Sequence, residues 1–97
     1  MTILETIHLR MAGKEQEALV ELIREAAGPE PSGTGVRIYR HSQFETDLVV
    51  HIHREAEEGQ GRASAMGKHL ASLLRSHGMV EHAVWSETGG QEGPSTP

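Results

Sequence analysis

Cysteine is absent from the 97 residues, which excludes disulfides, thiolate nucleophiles and thiolate metal ligands. Aromatic residues are scarce, with one Trp, one Tyr and one Phe, so there is no platform on which nucleic-acid bases would stack. Basic residues are few as well. Nine Lys and Arg stand against 14 Asp and Glu, the net charge is −5, and no basic stripe faces a phosphate backbone. Nucleic acid is therefore not an expected partner. No apolar run approaches the length that spans a bilayer, and the opening Met-Thr-Ile-Leu-Glu-Thr-Ile-His is too polar for the apolar region of a signal peptide. The expectation is a cytoplasmic protein with no membrane partner. Phosphate cradles are missing too. Gly33-Thr34-Gly35 and Gly59-Gln60-Gly61 lack both the Lys-Ser/Thr and the strand-to-helix setting such loops need, and Ser, His and Asp form no nucleophile elbow. A hydrophobic fraction of 36% is low for a small chain that must close its own core, which argues for an interface shared between two copies.

What is present is organised around Leu48 to Arg54, Leu-Val-Val-His-Ile-His-Arg. Leu48, Val50 and Ile52 alternate with Val49, His51 and His53, the period of a strand with one apolar face and one face bearing imidazoles. Thr2 to Met11 alternates in the same way, with Ile3, Ile7, Leu9 and Met11 on a side interrupted only by Glu5, and Leu4, Thr6, His8 and Arg10 on the other. From Lys14 to Ala27 the period changes to that of a helix, with Leu19, Leu22, Ile23 and Ala26 on one face. Glu15 and Glu17 complement the dipole in its first turn, and Gly28-Pro29 stops it.

Pro29 to Gly35 has loop composition, Val36 to His41 alternates as a strand, and Ser42 to Thr46 closes a hairpin onto the strand that starts at Asp47. Glu55 to Gly61 is acidic, glycine-bearing and aperiodic, which predicts a loop. A second helix begins near Ser64, carries Met66, Leu70, Leu73, Leu74 and His77 on one face, and ends at Gly78. Gly67 costs that helix about 1 kcal/mol relative to Ala, so its use is a close approach of helix to sheet. Met79 to Glu87 alternates again, with Val80, His82 and Val84 against Met79, Glu81, Ala83 and Trp85. Residues 1–87 thus form one domain, and residues 88–97 have the composition of a disordered tail.

The order strand, helix, strand, strand, helix, strand predicts an α+β fold. With right-handed crossovers, both helices lie on one face of a four-stranded antiparallel sheet, the ferredoxin-like βαββαβ plait.

Gly13-Lys14-Glu15-Gln16-Glu17 after a first strand, the Val36 to Arg40 strand paired with Leu48 to Ile52, and the closing strand from Met79 to Ser86 resemble the antibiotic-biosynthesis-monooxygenase-like members of the dimeric α/β barrel superfamily. The resemblance spans nearly everything but the tail. It implies a homodimer joined sheet to sheet, with a ligand cleft between sheet and helices in each subunit. The implied activities are cofactor-independent oxidation of aromatic compounds or haem degradation, and some members have no known activity. Where the third strand of the family ends in Trp-Glu, this chain has His53, Arg54 and Glu55, and its Trp is Trp85 in the last strand. No catalytic residue is therefore carried over.

The residues themselves offer several chemistries. His51 and His53 lie on one side of a strand, about 6 to 7 Å apart by strand rise. With His8 from the adjacent first strand, and His41, Tyr39 or Glu81 to complete the set, they can ligate zinc or another transition metal. The plainer alternative is that they line an uncovered sheet face, and no cofactor is then required. The same trio, His8, His51 and His53, can act as a general base toward an acidic organic molecule such as a phenol or quinol, although Asp47, the only Asp, sits at the far end of its strand from His53. Tyr39, Arg37, His69 and Trp85 are candidates for ligand contact. Trp85 can equally bury apolar area at an interface, His69 can be an exposed helix flank, and Arg37 and Arg10 can pair with Glu81. His77 suits a helix C-terminal cap. Three classes of function follow: a homodimeric binder or cofactor-independent monooxygenase of a small organic molecule, a non-catalytic assembly or regulatory plait, and a histidine-based metal protein.

Overall fold

The computed structural model describes residues 1–11, 16–29, 34–56 and 61–90. In chain order the elements are β1 (Thr2–Met11), α1 (Gln16–Ala27), β2 (Thr34–Arg40), β3 (Asp47–Glu55), α2 (Ala65–Leu74) and β4 (Gly78–Ser86). The sheet order is β2-β3-β1-β4 and every pairing is antiparallel. This is the ferredoxin-like plait expected from the element order. No helix among the described residues is long and apolar enough to cross a membrane.

The core lies on the helix side of the sheet. Ile7 and Leu9 of β1 and Leu48, Val50 and Ile52 of β3 pack against Leu19 and Ile23 of α1 and Leu70, Ala71 and Leu74 of α2. Each of these Leu, Ile and Val side chains, fully buried, contributes roughly 1.5–3 kcal/mol. The alternation in β1 and β3 selects this face, because period two sends every second side chain to the same side.

The end of α1 and the start of α2 lie where their sequences direct. Gly28, at φ +64°, closes α1 with its N–H on Arg24 O, a left-handed conformation that favours glycine. Ser64 caps α2 by accepting the Gly67 N–H on its hydroxyl at 2.9 Å.

Several boundaries shift, and His41 and Glu87, expected at strand ends, fall just outside β2 and β4. Thr34 and Gly35 belong to β2 rather than to a loop, because they pair with Arg54 and His53 of β3. Glu55 is the last residue of β3, paired with Thr2. The second helix stops at Leu74, and Gly78 opens β4 instead of ending the helix. His77 contributes its backbone N–H, bonded to Leu74 O. The predicted start of the first helix at Lys14 and Glu15, most of the acidic loop and residues 91–97 of the tail lie outside the described residues.

Candidate functional site

The face of the sheet away from the helices carries Leu4, Thr6, His8 and Arg10 of β1, Val49, His51 and His53 of β3, Arg37 and Tyr39 of β2, and Met79, Glu81, Ala83 and Trp85 of β4, by strand alternation and register. Trp85 is 60% exposed and Met79 71%. A trough of about 540 Å³ runs over this face, with Leu4, Val49, Ala83 and Trp85 as apolar walls. Its size falls in the range of small-molecule sites. The Trp85 indole N–H donates to Thr6 Oγ1 at 3.2 Å, which fixes the ring's polar edge to β1.

His8 and Asp47 both line the trough, and His8 Nε2 lies 3.2 Å from Asp47 Oδ2. An ionised carboxylate only accepts, so Nε2 is the donor and Nδ1 is left as the ring's basic nitrogen. Register explains the pair. Asp47 is opposite Arg10 and His8 is opposite Val49, so His8 and Asp47 are diagonal neighbours on one face. Asp47, at the far end of β3 from His53, thus supplies its carboxylate to His8 alone of the predicted trio. Arg10 turns to Glu81, at 3.9 Å.

His51 and His53 lie further along β3, opposite Thr6 and Leu4. Their ring centroids are 6.0 Å apart, and Tyr39 packs on His51 at 4.8 Å. Burial, reinforced by the neighbouring His53 charge, holds His51 below the ordinary imidazole pKa. The structure thus separates the predicted trio into a His8–Asp47 pair and a His51–His53 pair. Among the described residues no group of three or more His, Asp and Glu gathers where it could hold a metal ion. Arg37 is opposite His51 on the open face, whereas His69 is exposed on α2, on the other side of the sheet.

The space between sheet and helices is occupied by the core, so the main apolar trough is on the opposite face from the cleft that the family resemblance implies. A second hollow, about 690 Å³, lies between the end of α1 and β2 and is lined by Arg24, Gly28, Val36 and Tyr39 among others. Among the described residues its lining holds no acid–base pair, so the trough with His8 and Asp47 is the better candidate.

A cluster that the sequence signalled only as an interruption lies on the helix side. Glu5 is completely buried and receives Arg54 Nε–H at 3.1 Å, the Ser64 backbone N–H at 2.8 Å and His82 Nε2 at 2.9 Å. Arg54 also donates to Arg62 O. Burial pushes the Glu5 carboxyl up, but the hydrogen bonds from Ser64, His82 and Arg54 outweigh it and leave the pKa below its ordinary value. Glu5 on the apolar side of β1 was the available signal. Its partners come from β3, β4 and the start of α2, and no local pattern names them.

Comparison with family models, with curated proteins and with solved structures finds no match.

Proposed function

We propose that this protein binds a small aromatic, phenol-like or quinol-like molecule in the trough on its open sheet face, as one half of a cytoplasmic homodimer joined sheet to sheet. The observation that carries the reading is the His8–Asp47 pair at an apolar trough walled by Trp85. A flat ring lies against Trp85, Leu4 and Ala83, and an acidic hydroxyl meets a histidine whose tautomer Asp47 sets. His8 then takes the hydroxyl proton, which is the first requirement for oxidising a phenol or quinol. The second copy acts as a cover that excludes water from the trough. The family resemblance implies a cofactor-independent monooxygenase, and such an activity is a further step that oxygen uptake tests.

The test uses Trp85, the only tryptophan. Its fluorescence and the melting temperature are followed during titration with a panel of phenols, quinols and haem, with an oxygen electrode in parallel. Saturable quenching by phenols or quinols, lost in His8→Ala, supports the reading. No response from any compound in the panel would sink it.

A further inference from the structure

Side chains two apart on a strand project from the same face, and His51 and His53 do so from β3 with ring centroids 6.0 Å apart. A zinc-type ion takes imidazole nitrogens at ~2.0–2.1 Å, which places two rings on one tetrahedral ion with centroids about 5 Å apart. A modest turn of the exposed His53 ring closes that difference.

Two imidazoles are half of a tetrahedral set. Among the described residues nothing in the same chain completes it. Tyr39 flanks His51 on the β2 side, so the missing ligands must approach from above the sheet. A second copy laid on this face by a two-fold axis brings the identical pair, since such an interface presents the same patch twice. Charge permits it: Arg10 and Arg37 on the face are balanced by Asp47 and Glu81. Tyr39, Met79 and Trp85, all substantially exposed there, supply apolar area for the contact.

We propose that His51 and His53 form half of a site for a borderline divalent cation of the zinc type, completed by the same two histidines of a second copy across the open face. This rests on the sheet-to-sheet pairing proposed above and adds a four-imidazole bridge to it. The bridge is separate from the His8–Asp47 pair, so metal and organic ligand occupy different parts of one interface.

The experiment titrates zinc into the metal-free, untagged full chain by calorimetry, with sedimentation velocity in EDTA and in zinc. The expected result is one zinc per two chains and a dimer dissociation constant at least tenfold lower in zinc. Both effects disappear in His51→Gln and in His53→Gln. The stoichiometry is read on the unaltered chain, and His53 is exposed, so the test survives if His51→Gln folds poorly. His53 and Trp85 line one shallow hollow, so copper(II) at the same site also quenches Trp85 fluorescence. A dimer in EDTA that takes up no zinc overturns the metal site and leaves the pairing standing. A monomer at millimolar concentration with and without zinc overturns both. One zinc per chain without change in association, or uptake that survives both substitutions, overturns the site.

Discussion

The carboxylate of Glu5 lies directly against Gly67, and a β-carbon at position 67 would overlap Glu5 Oε2 and stand 3.1 Å from His82 Nε2. The close approach of helix to sheet thus has a chemical purpose. It brings the start of α2 down onto a buried carboxylate that also holds β3 through Arg54 and β4 through His82.

Gly67→Ala therefore sets two effects against each other. Helix propensity favours Ala by about 1 kcal/mol. Overpacking against a side chain pinned by several hydrogen bonds costs about 1–3 kcal/mol. The carboxylate cannot swing aside without breaking those bonds, so the variant is expected to be destabilised, by up to about 2 kcal/mol, in urea denaturation. A more stable variant would show that Glu5 yields freely.

Glu5→Gln leaves the partly buried Arg54 without its counter-charge, and the expected loss is up to about 3 kcal/mol, the low end for a fully buried pair. The pH dependence has a definite sign. Because the folded-state pKa of Glu5 lies below the ordinary value of 4.5, its contribution is fully present above that value and is lost as pH falls through the lower folded one. Glu55 falls in the same acid window, its carboxyl lowered by hydrogen bonds from Thr2 and the N-terminal amine. Denaturation midpoints between pH 7 and pH 3 should therefore fall less steeply in Glu5→Gln than in the unaltered chain, without becoming flat. Equal acid limbs would place the sensitivity elsewhere.

At the trough, His8→Ala should weaken phenol binding about tenfold or more, equivalent to roughly 1.4 kcal/mol. Asp47→Asn keeps the shape and removes the charge that fixes the tautomer, and a several-fold loss is expected. Both side chains are partly exposed, so melting temperatures should move little. Trp85 fluorescence titration reads all three proteins. Affinities unchanged in both variants would remove His8 from the site.

The β2–β3 hairpin depends on another histidine. His41 Nδ1 accepts the backbone N–H groups of Gln43 at 3.0 Å and Phe44 at 2.9 Å, and its ring packs 4.8 Å from that of Phe44. His41→Ala should cost about 1 kcal/mol and speed amide exchange at Gln43 and Phe44, and His41→Asn should recover part of this because an Asn oxygen can accept the same turn donors. Unchanged exchange in His41→Ala would show that the turn holds without the ring.

Alternation and helical period were enough to place six elements, to orient β1, β3 and β4, and to assign the helix-facing side chains, because those signals are local and repeat within a few residues. Ser64, Gly28 and Gly67 were readable for the same reason, since capping, a left-handed terminus and a close approach each require particular side chains. Strand ends were less legible: Thr34, Gly35 and Glu55 have loop chemistry and are held as strand by their partners on β3 and β1. Which histidine meets which carboxylate was beyond local pattern altogether. His8 and Asp47 are 39 positions apart, His82 and Glu5 are 77 apart, and only the strand register brings each pair together. Period two assigns a side chain to a face, but a shift of two residues between neighbouring strands would preserve every face and change every partner, so the site was decided by the folded sheet.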